Sequence, residues 1–113
     1  MRSLLLALLM IPSVCLADSA VIRGAGTDTC AAYLENLDRP NAEQFRVYYG
    51  TWMMGFLSGH NMMNTRQASA DPVSAVAYLD NFCWRNPFMR VVDAAAALVS
   101  ESGGASVAFQ YRK

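Results

Sequence analysis

The sequence predicts an all-α domain of four helices that one disulfide bond staples together. Apolar residues recur at steps of three and four along four segments, which is the period of an amphipathic α-helix. Prolines and glycines separate these segments, often as Asp-Pro or Asn-Pro pairs. The chain has 113 residues, which suits one domain.

The composition excludes several classes of protein. Apolar residues make up 54% of the chain and charged residues 16%, so a disordered chain is not expected. Nine basic residues balance nine acidic residues, so the chain lacks the positive charge that nucleic-acid binding requires. We therefore expect an ordered domain that does not bind nucleic acid.

The first 17 residues are typical of an export signal. Arg2 precedes an apolar run from Leu4 to Ile11, and Cys15-Leu16-Ala17 supplies small residues for cleavage after Ala17. The run is shorter than the roughly 20 apolar residues that cross a bilayer. We expect a signal peptide over residues 1–17 and an exported mature chain. A short membrane anchor and a buried first helix are the alternatives.

The expected mature chain contains two cysteines, Cys30 and Cys83. In an exported protein such a pair most often forms a disulfide bond. For the loop between residues 30 and 83, the chain-entropy model gives a stabilisation of about 4 kcal/mol. Two free thiols and two metal ligands are the alternatives, but the sequence contains neither a CxxC nor an HxxxH spacing. We therefore expect no metal and no cofactor.

Residues 18–27 contain two glycines and no apolar period, which predicts a flexible leader. Asp28 or Thr29 is expected to cap a first helix that runs to Leu37. Asn41 is then expected to cap a long second helix whose first turn contains an acid, as the helix dipole favours.

The second helix carries most of the aromatic surface. Large side chains share one of its faces, which we expect to be buried, to form a dimer or to bind a partner or client. These residues are Phe45, Tyr48, Tyr49, Trp52, Phe56 and Met63. Gly50, Gly55 and Gly59 interrupt the helix and predict close approach of another backbone or a kink. The spacing of Gly55 and Gly59 is expected to admit a neighbouring helix or a bulky side chain.

Two proline pairs delimit the third and fourth helices. Asp71-Pro72 is typical of a helix start, and the third helix is expected to run to about Arg85. Asn86-Pro87 is expected to stop it and to start the fourth helix. Gly103-Gly104 is expected to end the fourth helix. The apolar stripe of that helix comprises Phe88, Val91, Val92, Ala95, Leu98 and Val99.

The helical domain is therefore expected to cover residues 28–104, followed by a C-terminal tail over residues 105–113. Val107, Phe109 and Tyr111 alternate in this tail as in a β-strand. Because a lone strand is only marginally stable, we expect a docked or mobile tail.

No group of residues suggests catalysis. His60 is the one histidine, and Ser58 lies two residues away on the same helix, so the two side chains point in different directions. The acidic residues show no paired spacing that suits acid–base chemistry. Methionines flank the histidine at positions 53, 54, 62 and 63, and thioether and imidazole ligands suit copper. These side chains do not converge on one helix face, so we expect the methionines to pack in the core or to line an adaptable binding groove. With no catalytic group of residues in the sequence, we expect no enzyme activity.

Three short motifs resemble the HdeA/HdeB family, and most closely its HdeB branch. They are Thr29-Cys30-Ala31-Ala32-Tyr33-Leu34, Trp52-Met53-Met54 and Cys83-Trp84-Arg85-Asn86-Pro87, within a similarity that spans about residues 28–97. The resemblance implies a small helical periplasmic protein with one disulfide between Cys30 and Cys83. It also implies acid-stress chaperone activity, in which acid loosens a folded, often dimeric form and exposes apolar surface that holds unfolded clients.

A second exported family is similar in layout, namely small helical immunity proteins that bind and block cell-wall amidases. It has a glycine-rich helix and an Asn-Pro-like helix start. We therefore expect a protein-binding domain without stable membrane insertion, which binds unfolded periplasmic proteins or one specific protein partner. An HdeB-like chaperone, which allows a homodimer, is the first hypothesis. An immunity or inhibitor protein is the alternative.

Overall fold

A computed structural model describes residues 21–107 of the chain. A short 3-10 helix and four α-helices follow one another in this range: the 3-10 helix Gly24–Thr27, α1 Cys30–Leu37, α2 Ala42–Met63, α3 Pro72–Arg85 and α4 Val91–Glu101. The prediction of an all-α domain with four helices is confirmed. The expected signal peptide, the first three residues of the leader and the tail beyond residue 107 lie outside the described residues.

The predicted disulfide is present and joins the start of α1 to the end of α3. Cys30 and Cys83 form it, and both are fully buried. Beside the bond, the amide of Cys30 donates a 2.7 Å hydrogen bond to the carbonyl of Met89, and the amide of Ala31 donates one of 3.0 Å to the carbonyl of Pro87. The first amides of a helix have no acceptor within it. The connection between α3 and α4 therefore supplies the acceptors that α1 lacks.

Side-chain caps define two of the helix starts, as predicted. The Thr29 hydroxyl accepts a 3.1 Å hydrogen bond from the amide of Ala32 in α1. Asp71 accepts one of 2.9 Å from the amide of Ser74 and one of 2.6 Å from its hydroxyl. Asn41 precedes α2, but its side chain makes no capping hydrogen bond. Local polar contacts thus fix α1 and α3, whereas α2 relies on its packing.

The hydrophobic core lies where one face of each α-helix meets the others. Its largest fully buried side chains come from all four helices, and small side chains between them let the helices approach closely. The large ones are Tyr33, Tyr49, Met53, Leu79, Val91 and Val99, and the small ones include Ala75, Ala94 and Ala95.

Helix α4 starts later than predicted, at Val91 rather than directly after the Asn-Pro pair. Residues 86–89 form a turn, and the Asp93 carboxylate accepts a 2.9 Å hydrogen bond from the amide of Arg90, which fixes the helix start beyond this turn. Phe88 therefore falls outside the helix, and 97% of its surface is exposed. Its expected place on the apolar stripe is wrong. The other predicted members of the stripe, Val91, Val92, Ala95, Leu98 and Val99, are buried.

The expectation of a flexible leader over residues 18–27 is wrong for its last four residues. They form the 3-10 helix Gly24–Thr27, which packs against α2. The indole N–H of Trp52 donates a 2.9 Å hydrogen bond to the carbonyl of Arg23. A Cβ atom at Gly26 would overlap the Trp52 ring, so the glycine lets the indole lie directly on the backbone. The sequence offered no apolar period here because the contact uses backbone rather than side chains.

Candidate functional site

An open groove of about 620 Å³ lies between α2 and α3. The two helices are antiparallel, so the first turns of α2 face the later turns of α3. The lining residues recur at steps of one, three and four along each helix. They are Glu43, Arg46, Val47, Gly50, Thr51 and Met54 of α2, and Pro72, Val73, Val76, Ala77 and Asp80 of α3.

The middle of the groove is apolar and open to solvent. Val47 on α2 is 62% exposed and Val73 on α3 is 80% exposed. Between them, a Cβ atom at Gly50 would lie 2.8 Å from Cγ2 of Val76, so the missing side chain lets the two helices approach closely. The neighbour that approaches Gly50 is thus a side chain, whereas the sequence predicted another backbone or a kink.

The other two glycines of α2 do not serve helix packing within the described chain. A Cβ atom at Gly55 or Gly59 would meet no atom of residues 21–107 within 4 Å. Both residues are exposed. Within residues 21–107, the prediction that their spacing admits a neighbouring helix or side chain is therefore wrong.

One end of the groove is polar and connects three helices. Arg46 Nη1 donates a 2.6 Å hydrogen bond to Oδ2 of Asp80, and the hydroxyl of Tyr33 in α1 donates to Oδ1 of the same carboxylate. The hydrogen bond to Asp80 raises the pKa of Arg46. Burial first, and the bond to Asp80 second, raise the pKa of Tyr33. The carboxylate of Asp80 thus joins α1, α2 and α3 at this end.

Two more tyrosines bind carboxylates on other segments. Tyr49 donates a 2.6 Å hydrogen bond to Asp28 and accepts one of 3.1 Å from Asn36. Burial and the bond to Asp28 raise the pKa of Tyr49 to about 12. Burial and a hydrogen bond to Glu101 of α4 raise the pKa of Tyr78 in α3 to about 12. We call the three pairs the tyrosine–carboxylate links: Tyr33–Asp80, Tyr49–Asp28 and Tyr78–Glu101.

The predicted aromatic face of α2 is divided between the core and the surface. Tyr49 is buried, whereas Tyr48 is 52% exposed and Met63 is 83% exposed. The remaining members, Phe45, Trp52 and Phe56, are partly buried against the core. Trp52 stacks on Phe56 with ring centroids 5.5 Å apart. These residues therefore do not form one continuous binding surface.

The buried stripe of α2 runs through Tyr49, Met53 and Leu57 instead. Leu57 was missed as a core residue because aromatic size, rather than the four-residue step from Tyr49, set the predicted phase of the helix. The step from 49 to 53 to 57 was the signal that could have found it.

A second exposed apolar surface lies at the end of α3 and in the turn that follows it. We call it the aromatic turn, and its members are Trp84, which is 78% exposed, Phe88, which is 97% exposed, and Met89, which is 43% exposed. The disulfide at Cys83 and the hydrogen bonds to the start of α1 hold this turn in place. Sequence reasoning placed Phe88 in the core and gave Trp84 no binding role.

His60 has a structural contact in this chain. Its Nε2 atom accepts a 3.2 Å hydrogen bond from the amide of Ala105, and Nδ1 lies 3.3 Å from Nδ2 of Asn64. The ring therefore ties the segment after α4 to the end of α2. Within residues 21–107, no three His, Cys, Asp or Glu side chains cluster as metal ligands do. None of the helices in this range is long and apolar enough to cross a membrane.

Comparison of the chain with protein-family models, curated proteins and solved structures finds no match. Function is therefore inferred from three features of the molecule: the α2–α3 groove, the aromatic turn and the tyrosine–carboxylate links.

Proposed function

We propose that this chain is an exported, non-enzymatic acid-stress chaperone of the periplasm, which holds unfolded clients through apolar helix faces that acid exposes. The three tyrosine–carboxylate links carry the proposal. Each link joins two different segments, and together they connect α3 to α1 and α4, and α2 to the residue before the cap of α1. In each link the acceptor is a carboxylate.

Acid weakens these links through their acceptors. A hydrogen bond to a charged group contributes about 1.5–3 kcal/mol, more than a neutral one. Side-chain carboxylates are largely protonated at about pH 2, so the links lose their charge assistance there. The ion pair between Arg46 and Asp80 is lost at the same time, and the guanidinium keeps its charge.

The cap of α3 responds in the same direction. Hydrogen bonds from Ser74 lower the pKa of Asp71, so the folded state favours the charged carboxylate. A lowered pKa contributes stability above the ordinary value of 3.8, and this contribution is lost as the pH falls through the folded-state value. Acid therefore loosens the start of α3, beside the wall of the groove.

Charge repulsion adds to this loosening. Without Arg2, eight basic side chains and His60 leave the mature chain with a formal charge of about +9 when the carboxylates are neutral. The Cys30–Cys83 bond still joins α1 to α3. The faces of α2 and α4 that form the core then become available to clients.

The deciding experiment follows client aggregation from pH 7 to pH 2 with the purified mature chain and acid-unfolded citrate synthase. We expect binding of an apolar dye and suppression of light scattering to rise together as the pH falls below about 4. Asp80→Asn, whose acceptor is neutral at every pH, should begin to bind dye at a higher pH. Tyr33→Phe provides a second variant with the same expectation. Flat dye binding with unchanged aggregation would rule out the proposal.

The aromatic turn favours a second candidate function, inhibition of one folded partner. Trp84 and Phe88 are exposed on a backbone that a disulfide holds, and rigid exposed aromatic side chains are common anchors of tight interfaces. A cell-wall amidase is the partner class that the sequence layout suggests. Hydrolysis of peptidoglycan by such an amidase should fall when wild-type protein is added at pH 7. The Phe88→Ala variant should inhibit less without losing thermal stability.

A further inference from the structure

The α2–α3 groove has the length and form of a receptor for a helix. At 1.5 Å per residue, its lining extends about 17 Å along α2, from Glu43 to Met54, and about 12 Å along α3, from Pro72 to Asp80. Two antiparallel helices present two parallel walls, and a third helix packs into such a valley through side chains at steps of three and four. Gly50 at the floor lets Val76 of α3 pack directly against the backbone of α2, which keeps the two walls close together.

The lining also suits an apolar helix face. Val47 and Val73 stand on opposite walls and are largely exposed, while Met54 adapts to side chains of different shape. The charged side chains of the lining are confined to one end. There, Arg46 and Asp80 already satisfy each other, so an apolar face can cover the middle of the groove without breaking a hydrogen bond.

The charges of the groove favour a basic helix over an acidic one as the bound partner. At the polar end, the carboxylates of Glu43 and Asp80 face the single guanidinium of Arg46, so one negative charge is in excess. At the other end, the exposed carboxylate of Asp71 directly precedes Pro72. Arg46 is the one cation among the lining residues, and it is paired. A lysine or arginine flanking an apolar face would be attracted here, whereas an acidic helix would meet like charge.

We infer that the α2–α3 groove docks an amphipathic helix of a partner protein, about three turns long, with a lysine or arginine beside Glu43. The groove is open in the folded chain, so this site acts at neutral pH. The inference goes beyond acid-dependent client holding and does not rest on it.

The test uses a defined probe at pH 7 and 0.15 M salt. A fluorescein-labelled 14-residue peptide of leucine and lysine, with its leucines on one helix face, should bind the mature wild-type chain in an anisotropy titration. A leucine–glutamate peptide of the same pattern should bind at least tenfold more weakly. A scrambled leucine–lysine peptide, which has no apolar face, should also bind at least tenfold more weakly. Equal binding of the ordered and scrambled peptides would overturn the inference, because it would show attraction by charge alone.

Matched surface variants locate the site. Val73→Lys, at a position that is 80% exposed, should weaken binding of the leucine–lysine peptide at least tenfold, and Val47→Lys should do the same. Phe88→Lys, at a position that is 97% exposed on the aromatic turn, should leave binding within twofold. Glu43→Gln should weaken binding of this peptide several-fold and bring the leucine–glutamate peptide closer to it. Circular dichroism confirms that each variant is folded.

Two outcomes would assign the groove differently and overturn the inference. If Phe88→Lys abolishes binding while Val73→Lys does not, the aromatic turn is the peptide site. If wild-type protein is a dimer that Val73→Lys converts to a monomer, and the peptide does not bind, the groove holds a second copy of the chain. Because these titrations use folded protein at pH 7 without a client, their result is independent of the acid-aggregation assay.

Discussion

The hydroxyl of Tyr49, in the buried middle of α2, donates a 2.6 Å hydrogen bond to the carboxylate of Asp28, which lies just before the cap of α1. The same ring meets Tyr33 edge-on, with centroids 4.8 Å apart. One phenol thus packs in the core through its ring and binds a carboxylate of another segment through its hydroxyl. Removing the hydroxyl alone therefore measures the polar contribution of the contact.

Tyr49→Phe should lower the free energy of unfolding by about 1.5–3 kcal/mol at pH 7, because it removes a hydrogen bond to a charged group and leaves the ring in place. Urea denaturation followed by circular dichroism measures this change. Tyr48→Phe, on the neighbouring and 52% exposed tyrosine of the same helix, is the control and should change stability by less than about 0.5 kcal/mol. Equal effects of the two substitutions would contradict a specific role for the Asp28 contact.

Alkaline pH should unfold the chain through three tyrosines whose pKa is raised in the folded state. The pKa values of Tyr49 and Tyr78 are raised from 10.0 to about 12, and that of Tyr33 is raised as well. A raised pKa gives stability that is complete below the unfolded value of 10.0 and is lost as the pH rises through the folded value. Stability should therefore decline from about pH 10 towards pH 12.

Absorbance at 295 nm, which reports tyrosinate, and far-ultraviolet circular dichroism should be recorded together during this titration. We expect a large part of the tyrosinate signal to appear in step with the loss of helix. Complete tyrosine ionisation with the helices intact would contradict the assignment of the three links.

Gly26→Ala should displace the Trp52 indole from the 3-10 helix, because the added Cβ atom would overlap the ring. Overpacking of this kind costs about 1–3 kcal/mol, and the tryptophan emission should shift to longer wavelength as the ring gains solvent contact. Gly55→Ala is the matched control, since a Cβ atom there meets no atom of the described chain within 4 Å. That substitution should stabilise α2 by up to about 1 kcal/mol. Destabilisation by both changes would mean that Gly55 has a contact that the described chain lacks.

Reduction of the Cys30–Cys83 bond should destabilise the domain by about 4 kcal/mol according to the chain-entropy model. The measurement compares urea unfolding with and without a thiol reductant, with the Cys30→Ala, Cys83→Ala double variant as the reference that reductant should not affect. Thiol labelling of an unreduced, denatured chain of residues 18–113 should detect no free cysteine. Two labels per chain would contradict the pairing.

Helix starts that depend on neighbouring residues were predictable from the sequence. Thr29 and Asp71 each accept a hydrogen bond from an amide three residues later, so the donor and the acceptor are neighbours in the sequence. The start of α4 was not predictable in this way. The turn before it accepts hydrogen bonds from the amides of Cys30 and Ala31, which lie more than 50 residues earlier in the chain. The residues next to the turn give no indication of these donors.

The phase of α2 and the groove show the same limit. Aromatic residues surround the helix, so their size did not reveal that Tyr49, Met53 and Leu57 face the core. The groove depends on how α3 lies against α2, which is set by tertiary packing. Local sequence therefore predicts the helices and the bond between the cysteines. The candidate binding surfaces depend on the arrangement of the helices in space, which local sequence does not predict.

The position of the disulfide divides the chain into a closed ring and two open arms. The ring, from residue 30 to residue 83, contains α1, α2 and nearly all of α3, whereas α4 lies on an arm that is attached at one end only. Helix α4 can therefore separate from the ring without threading and without breaking a covalent bond, and its departure would expose the apolar wall against which Val91, Leu98 and Val99 pack. In hydrogen exchange, the amides of α4 should lose protection before those of the ring, and mild acid should widen the difference.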